Sequence, residues 1–445
     1  MLSRQVRLSS YNILVVIALS ILSGCQGDDP VKASSATDSF DGKLATDWID
    51  LQLTYSKESP GFSPPVVARA FAYSGLAFYE SVVNGIPNGK SLSGQLAGFN
   101  NLPVIESGAE YHWALCGNAA AARITHELYE NAPASILNKI DSLEQVYVQK
   151  FSSVSSAVAA RSIAFGQSIA DSVYSYSKSD GGHKAFNKNF PASYVPPVGP
   201  GLWVPTNSQL ALLPYWGDNR SFIPNLNMLV TTAGHPDYDT NNGSAFYSEA
   251  NTVYATVNSI TAEQQTIAYY WADESFVTFT PPGHSMCMFS QLAGQQKFNL
   301  QEAALGYVKM GLAMSDAFVY CWKTKFTANL LRPSQYIQAN IDALWIPLIP
   351  NPPFPEYTSG HSTESAASAR VLTSIFGENF AFTDLSHTRL NLGLAPRSFD
   401  NFYQAAEEAG MSRIYAGIHY PNSNVQGRLS GYDVADKVLA LSFFK

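Results

Sequence analysis

Three segments in the C-terminal third carry residues whose types and spacing suit one task, the holding of a multiply charged oxyanion. The first reads Lys325-Phe326-Thr327-Ala328-Asn329-Leu330-Leu331-Arg332-Pro333. Lys325 and Arg332 stand seven positions apart, two helical turns, so both cations project on one face. The second, Pro355-Glu356-Tyr357-Thr358-Ser359-Gly360-His361, runs into Ser-Thr-Glu-Ser-Ala-Ala and opens a helix. A Ser-Gly pair there offers a hydroxyl and bare N–H groups at the positive helix end, which favours anions. The third, Ser412-Arg413-Ile414-Tyr415-Ala416-Gly417-Ile418-His419-Tyr420-Pro421, sets a third cation six residues before a histidine in apolar company. Each feature alone has an ordinary reading. Lys325 and Arg332 could be a solvated face, His361 a capping histidine, and Arg413 a structural ion-pair partner. Their order and spacing together point instead to one shared site.

The pattern Lys-x6-Arg-Pro, then Ser-Gly-His, then Ser-Arg-x5-His resembles the superfamily that unites vanadium haloperoxidases with acid phosphatases. The likeness extends over most of residues 46–445. Tyr194 to Phe222, with Pro214-Tyr215-Trp216-Gly217, is similar to the bacterial haloperoxidase branch. So are Thr261-Ala262-Glu263-Gln264, Ala268 to Asp273, Pro281-Pro282-Gly283-His284, Ser315-Asp316-Ala317 and Pro352-Pro353-Phe354-Pro355. Length and N-terminus look most like the bacterial vanadium iodoperoxidases.

The resemblance implies a vanadate (orthovanadate) cofactor, with His419 bonding the metal axially. It implies that Lys325, Arg332 and Arg413 neutralise the equatorial oxygens, joined by the Ser359 hydroxyl and the Gly360 N–H. His361 would hydrogen-bond the remaining axial oxygen and act as acid–base, while Lys325 polarises bound peroxide. Hydrogen peroxide, a halide ion (iodide, or bromide) and an organic acceptor are the implied partners, and hypohalous acid the product. Several fixed cations in a dry site are what a multiply charged oxyanion needs. Trp322 and Phe354 flank two of the motifs, and could wall a halide pocket or be plain core aromatics. His284 follows Pro-Pro-Gly and suits a structural role near the pocket. His112, His126, His183, His235 and His387 show no ligand spacing. Relatives usually carry Asp four residues after the axial histidine to orient its ring; here that position is Ser423, between Asn422 and Asn424.

Two rival readings share these motifs. An acid phosphatase on the same scaffold would use His419 as nucleophile and His361 to protonate the leaving group. A lipoprotein that merely binds oxyanions would have no need of His361.

These segments have to be placed by helices. Residues 65–83, 109–130, 134–151 and 155–177 show apolar positions three or four apart, which marks one buried face. Residues 178–225 break into Gly- and Pro-rich punctuation that blocks long helices. Helix returns over 261–275 and 300–331, where Pro333 restricts Arg332 and ends it. Residues 361–377, 401–410 and 431–443 supply the rest, without strong β alternation. The expected fold is all-α, one or more helical bundles with a long irregular loop around 178–225.

The chain of 445 residues is 46% hydrophobic and 13% aromatic, ample for a large core. A formal net charge of -8 argues against nucleic acid or anionic lipid as a general partner. Arg4 and Arg7, an apolar run from Ile13 to Leu22 and Leu22-Ser23-Gly24-Cys25 read as a signal peptide over 1–24. Leu-Ser-Gly-Cys resembles a bacterial lipobox, which implies a lipid on Cys25. That places an exported, lipid-anchored protein at the periplasm, outer membrane or cell surface. Residues 25–45 then read as a flexible tether and 46–445 as the helical domain. Cys116, Cys287 and Cys321 are an odd set and imply no disulfide framework.

Overall fold

A computed structural model describes residues 34–206 and 209–445. The expected signal peptide and Cys25 lie outside the described residues. Of the expected tether, the part from Ser34 onward is packed onto the body. Thr37 is fully buried and its hydroxyl donates to the Val82 carbonyl at 3.0 Å, while the Ser34 hydroxyl accepts from the Tyr111 N–H.

Helices dominate, as expected. The N-terminal half holds α1 (Lys43–Glu58), α2 (Pro64–Val82), α3 (Trp113–Leu128), α4 (Ala134–Lys150) and α5 (Ser156–Ser177). Between 178 and 225 the described backbone makes only two short 3-10 turns, Ala185–Asn187 and Trp216–Asp218. The remainder comprises α6 (Leu226–Leu229), α7 (Ala245–Asn258), α8 (Ala262–Tyr270), α9 (Thr280–Gln295), α10 (Leu300–Ala328), α11 (Pro333–Asn340), α12 (Gly360–Phe376), α13 (Ser386–Leu390), α14 (Phe402–Tyr415) and α15 (Pro421–Leu439). Two three-residue strands, β1 (Phe382–Asp384) and β2 (Arg397–Phe399), pair antiparallel. No helix among the described residues is long and apolar enough to cross a membrane. Cys116, Cys287 and Cys321 are all buried and free.

α10 is the axis of the molecule. Its apolar residues point in nearly every direction, so it can be stable only when surrounded. It packs along α2 on one side and α12 on another, and α12 in turn packs on α14 and α15. Gly311 makes the first approach possible: a Cβ there would come within 2.7 Å of the Phe71 carbonyl oxygen. The start of α10 is fixed by a capping box. The Asn299 side chain accepts from the Glu302 N–H, and the Glu302 carboxylate from the Asn299 N–H. Its end comes three residues before the expected one, because Asn329 turns left-handed at φ 47°. That turn swings Arg332 back toward Lys325.

Candidate active site

α10, α12 and α14 deliver the three sequence motifs to one buried point. Lys325 leaves the last turn of α10 fully buried. Its Nζ donates to the Pro355 and Glu356 carbonyls at 3.0 and 2.9 Å. Arg332, also fully buried, directly precedes α11 and donates to the Phe354 and Ile418 carbonyls and to His419 Nε2, the last at 3.1 Å. Arg413, on α14, donates to the Ser412 hydroxyl and the Ala268 carbonyl. The hydrogen bonds of these three cations go to carbonyls, a hydroxyl and an imidazole, not to carboxylates. Burial consequently pushes Lys325 down to about 7, and Arg332 and Arg413 down to about 10.

Ser359 caps α12, its hydroxyl accepting from the Ser362 N–H at 3.3 Å and the Ser362 hydroxyl at 3.0 Å. Gly360 opens the helix. A Cβ there would touch only the Trp322 ring at 3.7 Å and Lys325 Cε at 3.9 Å, so the space beside it opens into the cavity it lines, and as the first helical residue its N–H has no partner within the helix. His361 follows at the wall of the cavity, its ring beside the Trp271 backbone, and its Nε2 is buried without a partner. Burial and then Arg413 push this imidazole down to about 3.

His419 faces the cavity from the loop between α14 and α15. Arg332 can only donate, so Nε2 is the acceptor and Nδ1 carries the proton. That proton goes to Glu356 Oε1 at 2.7 Å, and the same oxygen accepts from the Tyr420 N–H at 2.9 Å. The orienting carboxylate therefore comes from position 356, not from 423 where the resemblance had placed it. The Ser423 side chain lies against Glu356 instead. Burial raises Glu356 to about 7, against the pull of Arg332 and Lys325.

The cavity holds about 280 Å³. Gly360, His361, Arg413 and His419 line it; Lys325, Arg332 and Ser359 stand directly behind that wall. Trp322 and Phe354 line it too, with ring centroids 5.0 Å apart, among Leu212, Phe318 and Ile349. His284 does not reach the cavity. Its ring is buried between Asp273 and Asp384, and His387 lies beside it. Sequence reasoning missed Glu356, whose only signal was a carboxylate directly after an apolar Pro-Pro-Phe-Pro run, and Asp273.

Buried cations without carboxylate partners are costly, and here three converge on one open backbone cradle and one unpartnered imidazole nitrogen. A multiply charged oxyanion satisfies all of these groups, and an unprotonated Nε2 suits a metal within it. The residues present fit vanadate.

The fold and site thus define a helical centre in which three buried cations and two imidazoles are gathered to hold an oxyanion. Residues 306–443 match the VCPO second helical-bundle domain. Over its length the chain is similar to a crystal structure of the first bacterial vanadium-dependent iodoperoxidase. The two are 31% identical with a TM-score of 0.79, covering 93% of this chain and 99% of that one. Bacterial vanadium-dependent chloroperoxidases share the fold at 12% identity (holo-type, TM-score 0.63) and 11% (apo-type, TM-score 0.64). Each covers 85% of this chain, and 92% and 93% of theirs. No curated protein matches the chain significantly. The chain belongs to the vanadium-dependent haloperoxidase family and is an enzyme of that family.

Proposed function

We propose that this enzyme binds vanadate and uses hydrogen peroxide to oxidise iodide, with bromide a slower substrate, to hypohalous acid. The observation that carries the reading is the convergence of Lys325, Arg332 and Arg413, all buried, on the cradle between His361 and His419. Likeness to an iodoperoxidase over nearly the whole chain supports the choice of halide. Vanadate, when bound, supplies a Lewis acid that activates peroxide without changing oxidation state.

His419 would hold the metal through Nε2. Lys325, Arg332, Arg413, the Ser359 hydroxyl and the Gly360 N–H would hold its oxygens, as fixed donors that need no reorganisation. Arg332 has to release Nε2, and an oxyanion gives its guanidinium a better acceptor. His361 moves protons. Its basicity is suppressed by burial and Arg413; a bound anion offsets that cation, so Nε2 can take a proton from incoming peroxide and return it to the departing water. Lys325, lowered to about 7, is likewise kept charged by the anion. Trp322, Phe354 and Phe318 exclude bulk water and offer the halide an apolar wall. Two electrons pass from iodide to peroxide and one proton is taken up from solvent, so that iodide, hydrogen peroxide and a proton give hypoiodous acid and water.

The test is steady-state triiodide formation by protein supplied with orthovanadate and peroxide, beside a chromogenic phosphate ester. Halide oxidation without ester hydrolysis is expected. Ester hydrolysis alone would establish the phosphatase instead. The reading also includes export and a lipid on Cys25, motivated by the lipobox-like Leu-Ser-Gly-Cys. Cys25→Ser should release the protein from membranes, and an unchanged distribution would refute the anchor.

A further inference from the structure

The motif residue His284, left without a role by the site above, lies at the centre of the second cluster of titratable groups. On α9 it is 2% exposed. Its Nδ1 lies 2.9 Å from Asp273 Oδ2 and its Nε2 lies 2.6 Å from Asp384 Oδ2. Ionised carboxylates only accept, so the ring donates from both nitrogens and is an imidazolium. Its face stacks on Trp271, with centroids 4.8 Å apart and planes 16° apart. The other groups around it are Tyr270, whose hydroxyl donates to Asp384 Oδ2 at 2.7 Å, His387 at 5.1 Å and the buried Glu364.

Two of the groups that touch this ring, Asp273 and Trp271, lead to the reaction cavity. Asp273 lines it, and its second oxygen, Oδ1, is buried without a partner. That carboxylate is the charge acting on Arg413, and it acts on His361 as well. The Trp271 backbone lies beside the His361 ring and favours its protonated form. Its indole N–H is tied to Glu408 at 3.0 Å, which fixes the surface on which His284 stacks.

We propose that His284 is a positioning residue for halide oxidation: clamped between Asp273 and Asp384 and stacked on Trp271, its imidazolium aims Asp273 at Arg413 and fixes the Trp271 backbone beside His361. The inference rests on the function proposed above. A carboxylate with a free rotamer would give Arg413 two settings, and a loss of about 1 Å in positioning costs on the order of a hundredfold in rate. Asp384 is the outer half of the clamp and reaches the cavity only through His284. The hydrogen bonds favour an imidazolium over a divalent cation held by Asp273, His284 and His387, whose ligand atoms lie within 4.8 Å of one another. Both His284 ring nitrogens already lie on carboxylate oxygens, at 2.9 and 2.6 Å, so neither offers a lone pair to a metal.

The experiment uses full-length protein carrying His284→Gln and Asp384→Asn, each alone and each combined with Asp273→Asn. Iodide oxidation should show kcat lowered about tenfold to a hundredfold in each single variant, with the iodide KM within about twofold of wild type. Added to Asp273→Asn, Asp384→Asn should not lower kcat further, because it acts only through the clamp on that carboxylate, whereas His284→Gln keeps at most the smaller loss carried by its stack on Trp271. Losses that multiply would show a merely structural role and overturn the proposal. Asp384→Asn keeps His284 and serves if the Gln variant does not fold. In protein labelled with 15N-histidine, one imidazole should carry protons on both nitrogens at about pH 8, well above the ordinary histidine value of about 6.5, and vanish in His284→Gln. Failure to find it, or a stoichiometric metal lost in that variant, overturns the clamp. A wild type that oxidises no halide refutes the proposed function as well, whereas an active wild type with unaffected variants refutes the clamp alone.

Discussion

Replacing Glu356 by Gln isolates what the carboxylate behind His419 contributes. Glu356 is fully buried and receives the His419 Nδ1–H at 2.7 Å. Gln keeps the shape and the acceptor oxygen and removes the charge. A hydrogen bond to a charged group is worth about 1.5–3 kcal/mol and a neutral one about 0.5–1.5. The difference, about 1–1.5 kcal/mol, is roughly five- to tenfold in affinity. Changes behind metal-bound imidazoles commonly cost about 10- to 100-fold. An opposing effect acts at the same time. Lys325 and Arg332 lose their shared counter-charge, so any oxyanion is drawn in more strongly. Phosphate feels that gain as vanadate does, but forms no metal–nitrogen bond. The ratio of the two affinities therefore cancels the general charge effect. Calorimetric titration with orthovanadate, and separately with phosphate, should show the vanadate-to-phosphate ratio falling about tenfold in Glu356→Gln. An unchanged ratio would refute the assignment of Glu356 as the group that makes His419 a stronger ligand.

The two histidines divide by readout: His419→Ala should abolish retained vanadium, while His361→Ala keeps more of it and loses about a hundredfold in turnover; equal loss of metal would contradict this. Gly360→Ala meets only ordinary contacts and improves helix propensity, so Tm by circular dichroism should hold or rise while phosphate affinity falls; unchanged affinity would mean that the cradle is elsewhere. Ser423→Asp should leave vanadate affinity unchanged or weaker and lower Tm, because it sets a second carboxylate against Glu356; tighter binding would restore position 423 as the orienting residue. His284, whose two carboxylate partners raise it well above 6.5 against its burial, stabilises fully below about pH 6.5 and loses that contribution as pH rises through its folded value. The Tm gap between wild type and His284→Gln should thus be widest below about pH 6.5 and narrow above it, and a gap that widens with pH would refute the imidazolium.

The Ser-Gly-His turn was legible because a helix start relates Ser359, Gly360 and His361 within one short run. Lys325 and Arg332 do meet, but not along one helix face as their spacing suggested: α10 ends at Ala328, and the left-handed turn at Asn329 brings the extended Arg332 back toward Lys325. Trp322 and Phe354, open between wall and core from sequence, line the cavity. Glu356 was not legible as a partner of His419, since the contact joins positions 63 apart that only the packing of the 350s loop against the turn before α15 brings together. The clamp is hidden in the same way: His284 and Asp384 are 100 residues apart, and β1, too short to show alternation, delivers the aspartate. α9 was not among the expected helices; Pro281-Pro282 stands in its first turn, where proline forgoes no hydrogen bond. The irregular 178–225 segment was legible from its glycines and prolines; that Leu212 within it would floor the cavity was not.

The central claim is that buried cations and His419 hold an oxyanion containing vanadium. Its most direct test is the vanadium content, by elemental analysis, of metal-free protein reconstituted with orthovanadate and then desalted. The account predicts stoichiometric vanadium in the wild type, sharply less when excess phosphate is present during reconstitution, and none in His419→Ala. Wild-type protein that emerges without vanadium, or His419→Ala that retains it fully, would contradict the account.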